Sequence, residues 1–328
     1  MPASPHDTQR PRAWRGADEA RSNAWIVQLD ARERAELNAA AEKIRASGKT
    51  LDGVTRADFD LPRVAAKLAA VRWELQWGGG FVLLRGLSVG DYSEDELGAI
   101  FWGIGAYLGV GVSQSQQGDR LGHVIDRGGK AGERYYNVGG PLEFHMDPVD
   151  VVGLLCLRRA LEGGASRIVS ALAVHDAIRA ERPELLEILY RGFHCSRRGH
   201  GEAGAPRVPV FAQGGSGIEC YFLPITVRQA AEEGFPLSPL EQETLYFIAE
   251  VANRPELRLD MDFQEGDMQF LNNRVILHAR TDYKDDPNPA LKRHLLRLWL
   301  MMPDWPPRAA AMSFHDQVDR AGGGVRVE

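Results

Sequence analysis

The chain has 328 residues, of which 44% are hydrophobic and 26% are charged, and its formal net charge is −6. These values are typical of a globular protein, and the acidic balance predicts no nucleic-acid partner. Its three cysteines are widely spaced, which argues against a disulfide framework or a zinc knuckle and favours a cytoplasmic location. The polar N-terminus lacks a secretory apolar core, and no run approaches the roughly 20 apolar residues that predict a membrane span.

The N-terminal third predicts an arm followed by helices and one strand. Residues 1–22 show little periodicity and predict a loosely held arm that tryptophans attach to the body. Capping patterns and apolar stripes then predict three helices. Their starts are at Asp30, Pro62 and Ser93. A Gly triplet ends the second helix, and residues 81–85 predict a short buried strand.

The middle of the chain alternates short strands with irregular segments. Residues 109–143 are rich in Gly and Gln, with strand candidates at 121–125 and 134–138. The apolar run at 151–157 is typical of a strand that is buried on both faces. Residues 195–217 are rich in Gly, Arg and Pro and predict a mobile connection.

The last third predicts strands and turns. Residues 257–263 alternate apolar and polar side chains, and a turn leads to 268–271, which predicts a hairpin between the two segments. Residues 295–302 predict a further strand, and the Pro- and Gly-rich residues 304–328 predict a loose tail. Strands flanked by helices favour a mixed α+β fold with a double-stranded β-helix, or jelly roll, as its core. With no clear linker, we predict one domain over 23–303.

A His-x-Asp stretch offers metal ligands. Residues i and i+2 of a strand point to the same face, so His145 and Asp147 are expected to converge on one point. Alone the pattern is weak, since three letters recur by chance. His278 follows a later apolar strand and is the best-placed third ligand. Two histidines and one carboxylate on one face form the set that suits non-haem Fe(II).

Two arginines accompany this candidate triad on a single strand. Alternation places Arg293, Leu295, Arg297 and Trp299 on the same side. Buried guanidinium groups are costly without anions, so a bound carboxylate is the natural partner for this face.

Together these motifs resemble a known family. The His-x-Asp pair, the segment 266–280 that contains His278, and the segment 293–297 are similar to the taurine dioxygenase and clavaminate synthase-like (TauD/TfdA) group of Fe(II)/2-oxoglutarate oxygenases, over roughly residues 60–303. The resemblance implies iron ligation by His145, Asp147 and His278. It also implies that Arg293 binds the distal carboxylate of 2-oxoglutarate, assisted by Ser166, and that Arg297 lies near the other carboxylate or a substrate anion. Arg280 is the next candidate if Arg293 is not the anchor.

The resemblance predicts an oxygenase that uses Fe(II), 2-oxoglutarate and O₂ to oxidise an unactivated C–H bond of a small molecule. Arg297 favours a carboxylate-bearing or amino-acid-like substrate, with Gln114 and Gln116 as neutral contacts. Residues 139–141, Gly-Gly-Pro, replace a polar contact of taurine dioxygenases, which argues against taurine. Two alternatives stay open, namely the same triad holding zinc in a hydrolase or isomerase, and an inactive metal-binding relative. The oligomeric state is not determined, and a homo-oligomer is compatible with the sequence.

Overall fold

The computed structural model describes residues 10–115, 117–128, 140–197 and 204–312, and these ranges contain eight α-helices around a β-core. The helices are α1 (Gly16–Ser22), α2 (Ala31–Ser47), α3 (Val64–Trp77), α4 (Glu94–Leu108), α5 (Ala171–Glu181), α6 (Pro183–Arg191), α7 (Pro224–Glu232) and α8 (Pro239–Ala252). The strands of the first half are β1 (Ile26–Gln28), β2 (Phe81–Arg85), β3 (Val110–Gly111), β4 (Leu121–Ile125), β5 (Leu142–His145), β6 (Val151–Arg158), β7 (Glu162–Gly163) and β8 (Ser166–Ser170). Those of the second half are β9 (Phe193–His194), β10 (Arg207–Val208), β11 (Phe211–Gly214), β12 (Gly217–Cys220), β13 (Arg258–Met261), β14 (Met268–Asn272), β15 (Ile276–Arg280), β16 (Tyr283–Lys284) and β17 (His294–Met301).

The core consists of a seven-stranded and a four-stranded sheet. The larger sheet has the order β1-β2-β14-β6-β17-β3, with β4 also paired to β17, and the smaller has the order β13-β8-β15-β5. Apart from the parallel β1–β2 pair, the pairings in both sheets are antiparallel. Chain neighbours such as β5 and β6 lie in different sheets. This arrangement is the jelly-roll core that the sequence predicted.

Strand alternation separates two kinds of core. One apolar cluster fills the space between the sheets and includes Leu295 from β17 and Ile168 from β8. On the outer face of the larger sheet, Leu296 and Leu298 pack with α2, α3 and α4. On the outer face of the smaller sheet, Leu277 packs with α5, α6 and α8. A residue's place in its strand therefore decides whether it faces the interior or a helical layer.

Local signals set the helix boundaries. Both α2 and α4 begin with a capping box, formed by Asp30 with Glu33 and by Ser93 with Glu96, as predicted. The left-handed conformation at Gly48 (φ 67°) ends α2. The helix that was predicted from Pro62 begins at Val64 instead. Within the described residues, none of the helices has the length and apolar character needed to cross a membrane.

The predicted hairpin between 257–263 and 268–271 is wrong. Strand β13 pairs with β8 in the smaller sheet, whereas β14 pairs with β2 and β6 in the larger sheet. The turn at 264–267 carries the chain from one sheet to the other, and its Gly266 has a φ of 88°. Sequence alternation cannot distinguish such a crossing from a hairpin, because both need a short turn between two strands.

Segments that lacked periodicity also have structure. The segment 195–217, for which the sequence suggested a mobile connection, contains β10, which pairs with β9, and β11, which pairs with β12; residues 198–203 lie outside the described part. Strand candidate 134–138 also lies outside it. Trp14 is buried and its indole donates to the Gly79 carbonyl, which attaches the N-terminal segment as expected. The division into an arm, one domain and a tail stays a prediction.

Candidate metal centre

His145, Asp147 and His278 meet between the sheets. Strands β5 and β15 pair with His145 opposite His278, and the two imidazole centroids are 4.2 Å apart. Asp147 follows β5 by two residues, and its two carboxylate oxygens lie 3.9 Å from the Nε2 atoms of His145 and His278. One ligand atom from each of the three buried residues lies within 4.8 Å of the others. The pattern predicted from the sequence thus converges on one point.

Neighbouring groups fix the orientation of the ligands. His145 Nδ1 lies 2.8 Å from the Glu143 carbonyl oxygen, so the ring donates there and leaves the Nε2 lone pair directed at the centre. The Trp299 indole donates to Asp147 Oδ2 at 2.8 Å, and the Asn273 amide donates to the Asp147 carbonyl at the same distance. Sequence alternation placed Trp299 on this face, but the hydrogen-bonding roles of Trp299 and Asn273 were not predicted.

The electrostatics suit a divalent cation. Burial, and then the nearby His145, lower the pKa of His278 to about 3, so its ring is neutral at pH 7. Burial alone would raise the pKa of Asp147, but Arg297, His278 and His145 outweigh it and hold the pKa below its ordinary value. The site therefore presents a neutral imidazole and an ionised carboxylate, which are the protonation states that metal ligation requires. These residues fit a 2-His-1-carboxylate iron site.

Arg293 lies at one end of the same interior, immediately before β17. Burial, and then the positive charge of Arg280, lower the pKa of Arg293 to about 10, so the guanidinium stays charged at pH 7. Both arginines lie over the Tyr283 ring, at 5.4 and 4.7 Å from its centroid. Within the described residues, Arg293 forms no ion pair. A buried cation of this kind is suited to an anionic ligand.

The glycine turn before β8 brings the backbone against Arg293. A Cβ at Gly164, where φ is 69°, would lie 3.1 Å from Arg293 Nε, so the turn needs glycine for both conformation and space. Ser166 opens β8 opposite Arg280, and its hydroxyl lies 3.2 Å from Gln269 Nε2, which donates to it. Arg280 was predicted only as a substitute for Arg293. A His-x-Arg spacing, which puts His278 and Arg280 on one strand face, was the available signal.

Arg297 lies next to the triad. Its Nη1 is 3.6 Å from Asp147 Oδ2, its guanidinium lies 4.6 Å from the Trp299 ring centroid, and its Nε donates to Gln114 Oε1 at 2.7 Å. The Gln114 amide nitrogen in turn donates to the carbonyls of Arg120 and Arg297. Gln114 therefore contacts Arg297, and its role as a substrate contact stays a prediction. Gln116, the second predicted neutral contact, lies outside the described residues.

A buried His-Asp-His group and adjacent arginines inside a jelly roll define a non-haem iron oxygenase. In agreement with this, the family described as "Taurine catabolism dioxygenase TauD, TfdA family" matches residues 43–299. The chain is 32% identical over 298 residues to FR-33289 synthase of Streptomyces rubellomurinus, which covers 88% of both chains. The chain belongs to the TauD/TfdA family and is an Fe(II)/2-oxoglutarate-dependent dioxygenase.

Solved structures share the fold at low sequence identity. An asparagine oxygenase in complex with Fe(II), hydroxyasparagine and succinate superposes with a TM-score of 0.69 at 17% identity, covering 84% of this chain and 93% of that one. The non-haem iron oxygenase OrfP in complex with Fe and alpha-ketoglutaric acid gives 0.64 at 14% identity, with the same coverage. The likeness supports the jelly-roll assignment independently of the sequence motifs.

Proposed function

We propose that this enzyme hydroxylates an unactivated C–H bond of a small, carboxylate-bearing, amino-acid-like substrate. In the proposal His145, Asp147 and His278 ligate Fe(II), Arg293 holds 2-oxoglutarate, and Arg297 lies beside the substrate or the co-substrate. The observation that carries the proposal is the convergence of His145, Asp147 and His278 on one point, with the guanidiniums of Arg293 and Arg297 in the same interior.

Each residue has a separate task. His145, Asp147 and His278 would hold the Fe(II) ion, which would supply the O₂-activating chemistry. With the co-substrate and O₂ bound, the site couples decarboxylation of 2-oxoglutarate to succinate and CO₂ with transfer of one oxygen atom from O₂ to the substrate. Arg293 and Ser166 orient the distal carboxylate, and the indole of Trp299 holds the Asp147 carboxylate in place. Apolar side chains between the sheets keep bulk water away from the reacting atoms.

Removal of the Arg293 guanidinium is expected to weaken 2-oxoglutarate binding. A hydrogen bond to a charged group contributes about 1.5–3 kcal/mol, so we expect Arg293→Ala to raise the KM for 2-oxoglutarate about 10- to 100-fold. Arg293→Lys should recover only part of this, because a lysine keeps the charge but loses the bidentate fork. Succinate release at varied 2-oxoglutarate concentration measures both. Arg159→Ala, at an exposed arginine, is the control; an unchanged KM in Arg293→Ala would move the anchor to Arg280.

Positive charge near the triad favours an anionic substrate. Three guanidiniums lie in this interior, those of Arg280, Arg293 and Arg297, and one dicarboxylate need not occupy all of them. Arg297 lies close enough to the triad to meet a second anion, although Asp147 offsets part of its charge. The asparagine oxygenase that shares this fold was solved with a hydroxylated amino acid. Both observations favour a substrate that carries a carboxylate.

A matched panel of compounds tests the substrate class. We expect succinate release, above the uncoupled background, with free amino acids but little with their methyl esters or amides. Arg297→Gln should reduce the preference for the acids, since it removes the charge and keeps a polar side chain. If acids and neutral analogues are turned over equally, the anion hypothesis fails and Arg297 serves only the C1 carboxylate of 2-oxoglutarate.

A further inference from the structure

A second group of metal-binding side chains lies on the outer side of the larger sheet. Glu94 begins α4, His123 lies in β4 and His294 begins β17, and one ligand atom from each lies within 4.8 Å of the others. His123 Nδ1 is 2.9 Å from His294 Nε2. The Glu94 carboxylate lies 3.5 Å from His123 Nδ1 and 3.7 Å from His294 Nδ1. None of these residues takes part in the centre described above.

Strand register explains why the two histidines meet. Leu296 pairs with His123, so His294, two residues earlier in the same strand, is the diagonal neighbour of His123 on the same face. That face packs on the helical layer through Leu121 and Leu296. Arg293, one position before His294, faces the interior instead. The N-terminus of α4 lies above the two imidazoles and directs Glu94 at them.

We propose that Glu94, His123 and His294 form a second site for a divalent transition-metal ion, and that Zn²⁺ binds there. Two imidazoles and a carboxylate are a common ligand set for such ions, with water as the fourth ligand. Glu94 and His123 border a cavity of about 410 Å³, and their side chains are 51% and 37% exposed, so an ion and its water have access. His294 is buried and gives the site a rigid base.

The ligand spacing needs only a small adjustment. Zn–N bonds of about 2.0–2.1 Å at a tetrahedral angle separate two nitrogens by about 3.3 Å. The present 2.9 Å between the imidazole nitrogens is a hydrogen-bonding distance, which requires one ring to present a lone pair. Ligation would require the more exposed His123 ring to turn so that both lone pairs converge on the ion, together with movement of the exposed Glu94 carboxylate. The competing interpretation is a hydrogen-bonded pair that binds no ion.

Zinc titration of the full-length chain separates the two sites. In the double variant His145→Ala/Asp147→Ala the inner centre loses two of its three ligands. Competition with a chromophoric chelator should then show two equivalents of Zn²⁺ on the wild type and one on the double variant. Adding Glu94→Gln or His123→Ala should weaken the remaining site at least about 100-fold, because loss of an outer-shell partner alone costs about 10- to 100-fold.

Asp95→Asn is the matched control. Asp95 lies in the same first turn of α4 and borders the same cavity. Neutralising Asp95 therefore removes one negative charge from the N-terminus of α4, as neutralising Glu94 does. Zinc affinity should be unchanged in Asp95→Asn and lost in Glu94→Gln. The proposal is overturned if the double variant retains no Zn²⁺, or if the Glu94 and Asp95 variants bind alike.

A second measurement does not depend on the folding of the double variant. In a background with the inner centre intact, Glu94→Gln alone should lower the stoichiometry from two equivalents of Zn²⁺ to one. With Co²⁺ as the probe, the visible absorption of the outer ion should disappear in the same variant. Two equivalents in Glu94→Gln would contradict the proposal. Loss of one equivalent with the absorption of the outer Co²⁺ retained would also contradict it, because the outer ion would then not depend on Glu94.

Discussion

We expect substitution of each triad residue to abolish iron binding and turnover. His145→Ala, Asp147→Ala and His278→Ala each remove one of three converging ligands, so iron affinity should fall by more than about 100-fold, beyond the effect of an outer-shell change. Anaerobic reconstitution followed by colorimetric iron determination measures this directly. Wild-type iron content and turnover in any variant would show that its residue is not a ligand.

Asp150, three residues after Asp147, provides a control. Asp147 and Asp150 are both buried, but they point to different environments. Asp147 faces the two imidazoles, whereas Asp150 pairs with Arg274 at 2.8 Å and with Arg308 at 3.2 Å. Asp147→Asn should therefore lose iron with modest loss of stability. Asp150→Asn should keep one equivalent of iron at the inner centre and lose stability.

The second prediction concerns stability and the buried ion cluster of Asp150, Arg274 and Arg308. Asp150 is 2% exposed, and its carboxylate accepts from both arginines and from the Met302 amide. Arg274 also pairs with the buried Glu219 at 3.3 Å, so neutralising Asp150 leaves two buried guanidiniums with one carboxylate, which costs about 3–5 kcal/mol. We expect Asp150→Asn to lower the free energy of unfolding by about that amount, measured by urea denaturation. Asp262→Asn, which breaks an exposed pair with Arg159, should cost no more than about 1 kcal/mol.

The pH dependence of stability should follow from the same group. Burial would raise the pKa of Asp150, but Arg308 and Arg274 outweigh burial and hold the pKa below its ordinary value. The stabilisation is then fully present above the unfolded-state pKa and is lost as pH falls through the folded-state value. Between pH 5 and pH 3 the wild type should therefore lose more stability than Asp150→Asn. Equal losses of the free energy of unfolding between pH 5 and pH 3 in the two proteins would contradict this.

The C-terminal segment depends on this cluster too. Although residues 304–328 suggested a loose tail, Arg308 is held by Asp150, and the Ala309 amide donates to Glu219 at 3.1 Å. Nothing in the local sequence signals this, because the partners lie some 90 to 158 positions away in the chain. Only packing of the segment against the body reveals it.

The sequence by itself determined which face each residue takes. Period-2 alternation placed His145 with Asp147 on one face and Arg293 with Arg297 on another, and capping boxes set the starts of α2 and α4. These features depend on neighbours within a few residues, which is the range over which backbone geometry fixes side-chain direction. Alternation therefore predicts that the members of each pair share a face, whereas their roles as ligands came from the family resemblance.

Only the tertiary structure decided which faces meet. It set His278 opposite His145 across β15 and β5, carried the chain between sheets at Gly266, and brought Gln114 to Arg297 over 183 positions. It also brought His294 beside His123 and Glu94. Such contacts depend on sheet order and register, and alternation within one strand carries no information about which strand lies beside it.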